Sequence, residues 1–375
     1  MSRVLTRSRL ISFAFFIAAI VAIFALPSFV SAFRAQQFAY VGIYLIALIG
    51  LQLLTGITGQ ISLGHGAFML IGGYVTAILI SDDDPPLHLA GHDFTGDMKD
   101  IWTIPLAGLV AGLAGFLFGF PALRLTGLYL ALATFAIAVA LPSVIKRYEH
   151  FTGGGPGINL LESPRLTGVS RTDPITFEQT PEGVHFLGIT IGTFNDWLYF
   201  LSWTIAIVLF AVAWLLLESR VGRTLRAVRD SELAAASFGV NLARYKTLAF
   251  GISAFYAGVA GSLLAIATTF VNPDTFPVAL SIFLLVGVVV GGLGSLWPLV
   301  FGAVFIHFMQ IEWAQRIEDV IPNFIPGLGD IDTDATGAPA VGFGVVLILI
   351  MLVFPDGAAG VIRRITAYAG HLRRR

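Results

Sequence analysis

Residues 197–217 read WLYFLSWTIAIVLFAVAWLLL, residues 218–246 read ESRVGRTLRAVRDSELAAASFGVNLARYK, and residues 247–269 read TLAFGISAFYAGVAGSLLAIATT. The two outer stretches contain no charged side chain. The middle one carries Arg220, Arg223, Arg226, Arg229, Arg244 and Lys246 against Glu218, Asp230 and Glu232. About 20 apolar residues at helical rise cross a bilayer, so this order describes two transmembrane helices joined by a basic surface loop. Loops enriched in Lys and Arg stay on the cytoplasmic side. The pattern sets the expectation for the whole chain: an all-α, polytopic transmembrane helix bundle with a basic cytoplasmic loop.

Outward from this stretch the same pattern repeats. Apolar runs occupy Leu10–Val30, Phe38–Thr55, Ile61–Ile80, Ile101–Phe120, Leu125–Ile145, Val278–Gly291, Leu296–Ile311 and Val341–Phe354. The last three are short and read as tilted helices or half-helices, which gives about 8–10 spans. Hydrophobic residues make up 56% of the 375 positions and charged residues 12%, about half the charge of a typical soluble domain. Continuous runs also exclude a β-barrel, whose strands alternate over short segments. Zero cysteines remove disulfides, thiolate catalysis and cysteine metal sites. The 41 glycines point to close helix packing inside lipid.

Charge placement orients the bundle. Arg3, Arg7 and Arg9 precede the first run. That run reads either as a signal peptide cleaved near Ala32 or as a retained span, and its length favours the span. With the N-terminus inside, residues 81–100, with Asp82, Asp83, Asp84, Asp97 and Asp100 against Lys99, fall outside. So does the acidic connection Glu312–Ala340, while loop 218–246 and the tail with Arg363, Arg364, Arg373, Arg374 and Arg375 fall inside. Lys146 and Arg147 land at the outer end of a span, where phospholipid headgroups could receive them. The Gly-, Pro- and Thr-rich connection 146–196 is long enough to cap helix ends or to contact a partner. Residues 1–358 thus form the membrane domain and 359–375 a basic cytoplasmic tail.

Three stretches carry candidate chemistry. In Gly59-Gln60-Ile61-Ser62-Leu63-Gly64-His65-Gly66 the glycines free the backbone to leave helical geometry. Broken backbone at membrane depth is tolerated where it is buried in protein or lines a cavity, and half-helix N-termini can orient a polar solute. Gln60, Ser62 and His65 are candidates for that role; the alternative is a surface turn whose glycines only pack. In residues 124–134, Arg124 reads as a snorkelling arginine, and Thr126, Tyr129 and Thr134 either line a path or bond to neighbouring helices. In Val221–Phe238, Arg223, Arg226 and Arg229 recur at helical spacing, Leu225, Val228 and Leu233 occupy another face, and Gly239 stands where a helix would stop. One amphipathic helix is expected there. It would lie on anionic lipid or dock into a soluble partner, and its Ala234-Ala235-Ala236 face favours docking.

Negative signals narrow the class. The chain has no G-x-x-x-x-G-K-[ST] phosphate loop, no H-E-x-x-H and no G-x-S-x-G. Ionisable groups within the apolar runs are sparse, His307 and the boundary residue Glu312 being the main pair. A proton-driven carrier would need carboxylate relays there.

TGQISLGHGAF, LRLTGLYLALATFA leading to FTGGGPGI, the 220–265 stretch, FVNPDTF and VVVGGLGSLWPLVFGA together resemble the permease subunits of branched-chain amino acid ABC transporters, in order from about Thr55 to Ala303. The resemblance implies a transport subunit of the bacterial inner membrane, not an enzyme, with no cofactor in this chain. ATP would be used by two cytoplasmic ATPase subunits. A homologous second permease, an extracytoplasmic solute-binding protein and membrane lipid complete the implied partners; no nucleic acid is implied. It also implies that Ala234, Ala235 and Gly239 belong to the importer coupling motif, with Arg226, Arg229 and Glu232 beside them. Glu232 lies one place earlier than in the general importer pattern. Related permeases for urea or short amides, a stand-alone secondary carrier and a passive channel for a small neutral solute are the alternatives.

Overall fold

Between residues 32 and 308 every apolar run becomes a helix, and side-chain caps mark the starts of the helices at Arg220, Glu232 and Leu242. The structure, a computed structural model, describes residues 23–308 apart from 82–86, 90–91, 95–98, 123–124, 126, 161–183, 187–188 and 192–193, together with residues 21, 344, 348, 352 and 357–360. Most of Leu10–Val30, the acidic connection 312–340, most of Val341–Phe354 and the basic tail lie outside the described residues. So do Arg124 and Thr126.

Apart from a single turn at Glu149–Thr152, the α-helices are α1 (Ala32–Leu51), α2 (His65–Ile80), α3 (Asp100–Ala122), α4 (Leu128–Arg147), α5 (Phe194–Glu218), α6 (Arg220–Asp230), α7 (Glu232–Ser237), α8 (Leu242–Thr268), α9 (Val278–Gly291) and α10 (Leu299–Phe308). Helix α1 continues through a wide-turned π segment, Gln52–Ile57. Six helices among the described residues are long and apolar enough to cross a membrane, and α2 and α10 are shorter apolar helices. Strands are confined to short pairs, such as Ile158–Asn159 with Phe270–Val271. The bundle is all-α, as expected.

Helices α1 and α8 form its centre. Ile43, Ile46, Leu48 and Ile49 of α1 and Ala257, Ala260, Leu263 and Ile266 of α8 are fully buried. Lipid tails are as apolar as Leu, so helices associate by close contact and scattered hydrogen bonds. Glycine provides the contact. A methyl group at Gly108 would sit 2.7 Å from Val259 Cγ2, and one at Gly119 would sit 2.9 Å from Thr247 Cγ2, so α3 and α8 touch along a glycine face. Trp203 Nε1 donates to Phe38 O across α5 and α1 at 3.0 Å, and the Tyr256 hydroxyl donates to Leu209 O across α8 and α5 at 2.8 Å. The outward faces are apolar, with Leu109, Leu113 and Leu117 on α3, Leu132 and Val139 on α4, and Val208, Val212 and Leu215 on α5 exposed.

Two expectations are corrected. The loop holds two helices rather than one over Val221–Phe238. Ser231 takes an extended backbone and its hydroxyl accepts from Ala234 N, which ends α6 and starts α7. Leu233 consequently does not share a face with Leu225 and Val228; those two are buried and Leu233 is 85% exposed. Lys146 needs no headgroup, since its Nζ lies 3.0 Å from Asp274 Oδ1 at the same end of the bundle.

Candidate functional site

The break between α1 and α2 lies inside the bundle. His65, the first residue of α2, is buried, and its Nε2 lies 2.9 Å from Ala47 O. Ala47 stands ten positions before the end of the π segment at Ile57, which corresponds to about 15 Å of helix. After Ile57 the chain therefore turns back into the bundle, and α2 begins well below the surface. This is broken backbone whose α2 start is buried in protein, while Gly59 and Ile61 ahead of it are exposed.

A helix start leaves unpaired backbone donors, and here other helices satisfy them. Leu63 N donates to Thr134 Oγ1 of α4 at 2.9 Å, and that hydroxyl donates on to Ala131 O. Gly66 N donates to Ser281 Oγ of α9 at 2.9 Å. Ser62 Oγ accepts from Gly64 N at 3.3 Å, and Gln60 Nε2 donates to Thr58 Oγ1 at 3.0 Å. Glycine is needed for these approaches: a methyl at Gly64 would lie 2.8 Å from Thr134 O, and one at Gly66 would lie 2.8 Å from Ser281 Oγ. Gln60, Ser62 and His65 thus gather in one buried segment, each bonded within the chain. Tyr129 does not join them, being 72% exposed on α4. Thr134 and Ser281 complete the arrangement.

The C-terminal end of α1 carries a second polar feature. Gln52 is fully buried, and its Nε2 donates to Gly292 O at 3.1 Å and Ser295 O at 2.9 Å, in the turn after α9. The only sequence signal for Gln52 is that it is an amide within an apolar run.

The loop 218–246 sits at this same end. Three polar side chains divide it: Ser219 caps α6, Ser231 caps α7 and Asn241 caps α8. Helix α7 ends in a Schellman motif, with Gly239 N donating to Ala236 O, Val240 N donating to Ala235 O, and Gly239 at φ +82°. Arg226 turns back to Leu217 O, and Arg229 Nη1 donates to Gly56 O. Glu232 pairs with the buried Lys246 ammonium at 2.6 Å, which fixes the start of α7 against α8. Ala235 is buried, while Ala234 and Gly239 are exposed. With two arginines bonded back to backbone carbonyls, Leu233 of α7 and Phe238 at its end stand 85% and 89% exposed.

Residues 33–354 match a family described as the permease component of branched-chain amino acid transport systems. The high-affinity branched-chain amino acid transport system permease protein LivM of Salmonella typhimurium is 35% identical over 300 residues, covering 78% of this chain and 66% of the relative. LivM of Escherichia coli K12 is 34% identical over 295 residues, with the same coverage. LivH, the corresponding permease protein named in Escherichia coli K12, is 24% identical over 326 residues, covering 84% of this chain and 91% of its own. The chain thus spans about two thirds of the LivM proteins' length. No solved structure matches it.

Proposed function

The chain belongs to the permease family of branched-chain amino acid transport systems, and on that premise we propose that it is a membrane subunit of an ATP-binding-cassette importer for branched-chain amino acids. Its greater identity to LivM than to LivH favours the LivM position, beside a LivH-like second permease. An extracytoplasmic binding protein delivers solute, and two cytoplasmic ATPases supply the energy. In this reading the basic loop and both termini face the cytoplasm, and residues 81–100 and 146–196 face outward.

The observation that carries the energetic half is α7. Its Schellman end, its cap and the Glu232–Lys246 pair hold a short helix in place while two large apolar side chains are left uncovered. An exposed apolar pair on a capped element is a feature of protein or membrane contacts, and a soluble ATPase is the partner that an importer permease requires there. Solute contact is assigned to the buried start of α2, with Gln60, Ser62 and His65. Its amides now donate to Thr134 and Ser281, and a carboxylate could accept from them once the segment opens.

Proteoliposomes holding both permeases and both ATPases, given binding protein outside and ATP inside, should accumulate labelled leucine. Gln60→Ala and His65→Ala should lower the uptake. Gradient-driven uptake by the purified chain alone would replace this reading with a secondary carrier, and nucleotide-independent urea flux would replace it with a channel. Unchanged leucine uptake in both variants would remove the assigned solute contacts.

A further inference from the structure

The two polar features described above are connected through hydrogen bonds within the chain. Helix α1 ends at the π segment, where the last carbonyls of any helix lack intrahelical donors and carry the negative end of its dipole. Arg229 Nη1, from the loop helix α6, donates to one of these carbonyls, Gly56 O. Arg229 also reaches the turn after α9, where a methyl at Gly294 would lie 3.2 Å from the same Nη1. From that π segment, Gln52 Nε2 donates to Gly292 O and Ser295 O, the carbonyls just past the end of α9. One side chain of the loop thus caps α1, and one side chain of α1 caps α9.

Helix α9 then carries the connection inward. Near its other end Ser281 accepts from Gly66 N at the buried start of α2. Gly287 packs against Ile306 and Leu48, so α9 sits between α10 and α1 without space to deform independently. A displacement of α6 shifts the α1 end, the α9 end and the Ser281–Gly66 contact together or breaks one of three identified hydrogen-bonded links.

We infer that Arg229 is a positioning residue that ties the cytoplasmic loop, through Gly56, Gln52 and α9, to the break at the start of α2, so that motion of the loop opens or closes the solute position. This rests on the proposal that the loop receives the ATPases, and it assigns Arg229 to the permease side of that contact. A fixed structural brace would use the same bonds, but losing it would lower the amount of assembled complex. A coupling link instead changes how much solute moves per ATP.

The test uses the full reconstituted complex, with assembly, ATP hydrolysis and uptake measured on the same preparations of Arg229→Ala, Arg229→Lys, Gln52→Leu and the surface pair Leu233→Ser/Phe238→Ser. Arg229→Ala and Gln52→Leu should retain the ATPases and hydrolyse ATP, with leucine moved per ATP falling by about tenfold, a normal size for coupling between sites. Arg229→Lys, which keeps a cation and a donor, should recover part of it. Uptake per ATP within about twofold of the unaltered complex in both Arg229→Ala and Gln52→Leu overturns the inference. Loss of assembled complex in both, with normal uptake per ATP in what remains, overturns it in favour of a brace. If the Leu233→Ser/Phe238→Ser complex keeps its ATPases, the docking proposal fails instead.

Discussion

Thr76 Oγ1 and Ser262 Oγ lie 2.5 Å apart across the α2–α8 interface, and a methyl at nearby Gly258 would lie 2.7 Å from Ala107 O on α3. The two positions separate the forces that hold a helix pair in lipid. Interhelical hydrogen bonds between side chains in membrane proteins average about 0.6 kcal/mol, because the separated helices also find partners. Overpacking a close contact costs about 1–3 kcal/mol. Thr76→Val should therefore barely shift the thermal unfolding of the detergent-extracted protein, and Gly258→Leu should lower it markedly; the reverse order would make hydrogen bonding the main cohesive force here. Legibility at this scale was uneven. Gln60, Ser62 and His65 stood out because glycines flank them, and the structure does gather them in a buried break. Gln52 and Ser281 were invisible because each is one small polar group in an apolar run. Their partners lie 240 and 215 positions away, beyond any local pattern. Tyr129 stands apart from Gln60, Ser62 and His65, 72% exposed at the start of α4, and an amphipathic tyrosine at a span end reads alike whether it faces a path or the outside.

In and after the loop the helix starts follow caps more closely than hydropathy. The apolar run starting at Thr247 is preceded by a further turn of α8, because Asn241 Oδ1 accepts from Arg244 N at 3.0 Å and helix formation starts there. In the loop, charge periodicity suggested one helix, but Ser231 was a cap signal with enough force to split it. Removing an N-cap hydroxyl costs about 1 kcal/mol, a large share for a six-residue helix with little burial. Ser231→Ala should speed hydrogen exchange in α7 while leaving α8 protected. Gly239 imposes a different constraint. Open space surrounds it, so bulk is accommodated within the chain, but its φ of +82° disfavours any residue with a β-carbon. Asn, which tolerates the left-handed region, should preserve α7 better than Ala, and Ala better than Val. Equal protection in all three would show that the backbone, and not the glycine, sets the end of α7.

At the scale of the whole molecule, chain order and charge fix two opposite ends. One end holds Lys146 with Asp274 and the strand pair Ile158–Asn159 with Phe270–Val271. The other holds the π segment, the loop with α6 and α7, and the turn at Gly292–Ser295. The basic loop points to the second end as cytoplasmic, and Lys146 and Arg147 are the charges that disagree; of these Lys146 pairs with Asp274, although so exposed a pair adds little stability. The absence of cysteine makes the orientation directly testable, because a single introduced thiol is the only target in the chain. Tyr148 is 60% exposed beside Lys146, and Phe238 is 89% exposed on the loop. In spheroplasts, a membrane-impermeant maleimide should label Tyr148→Cys at once and Phe238→Cys only after the membrane is opened. Labelling of Phe238→Cys in sealed spheroplasts would invert the topology and place the docking face outside. Co-expression of the ATPases then adds a second reading on the same thiols: bound subunits should shield Phe238→Cys in opened membranes and leave Tyr148→Cys as reactive as before. Equal reactivity of Phe238→Cys with and without them would leave α7 uncovered and move the ATPase contact elsewhere on the cytoplasmic face.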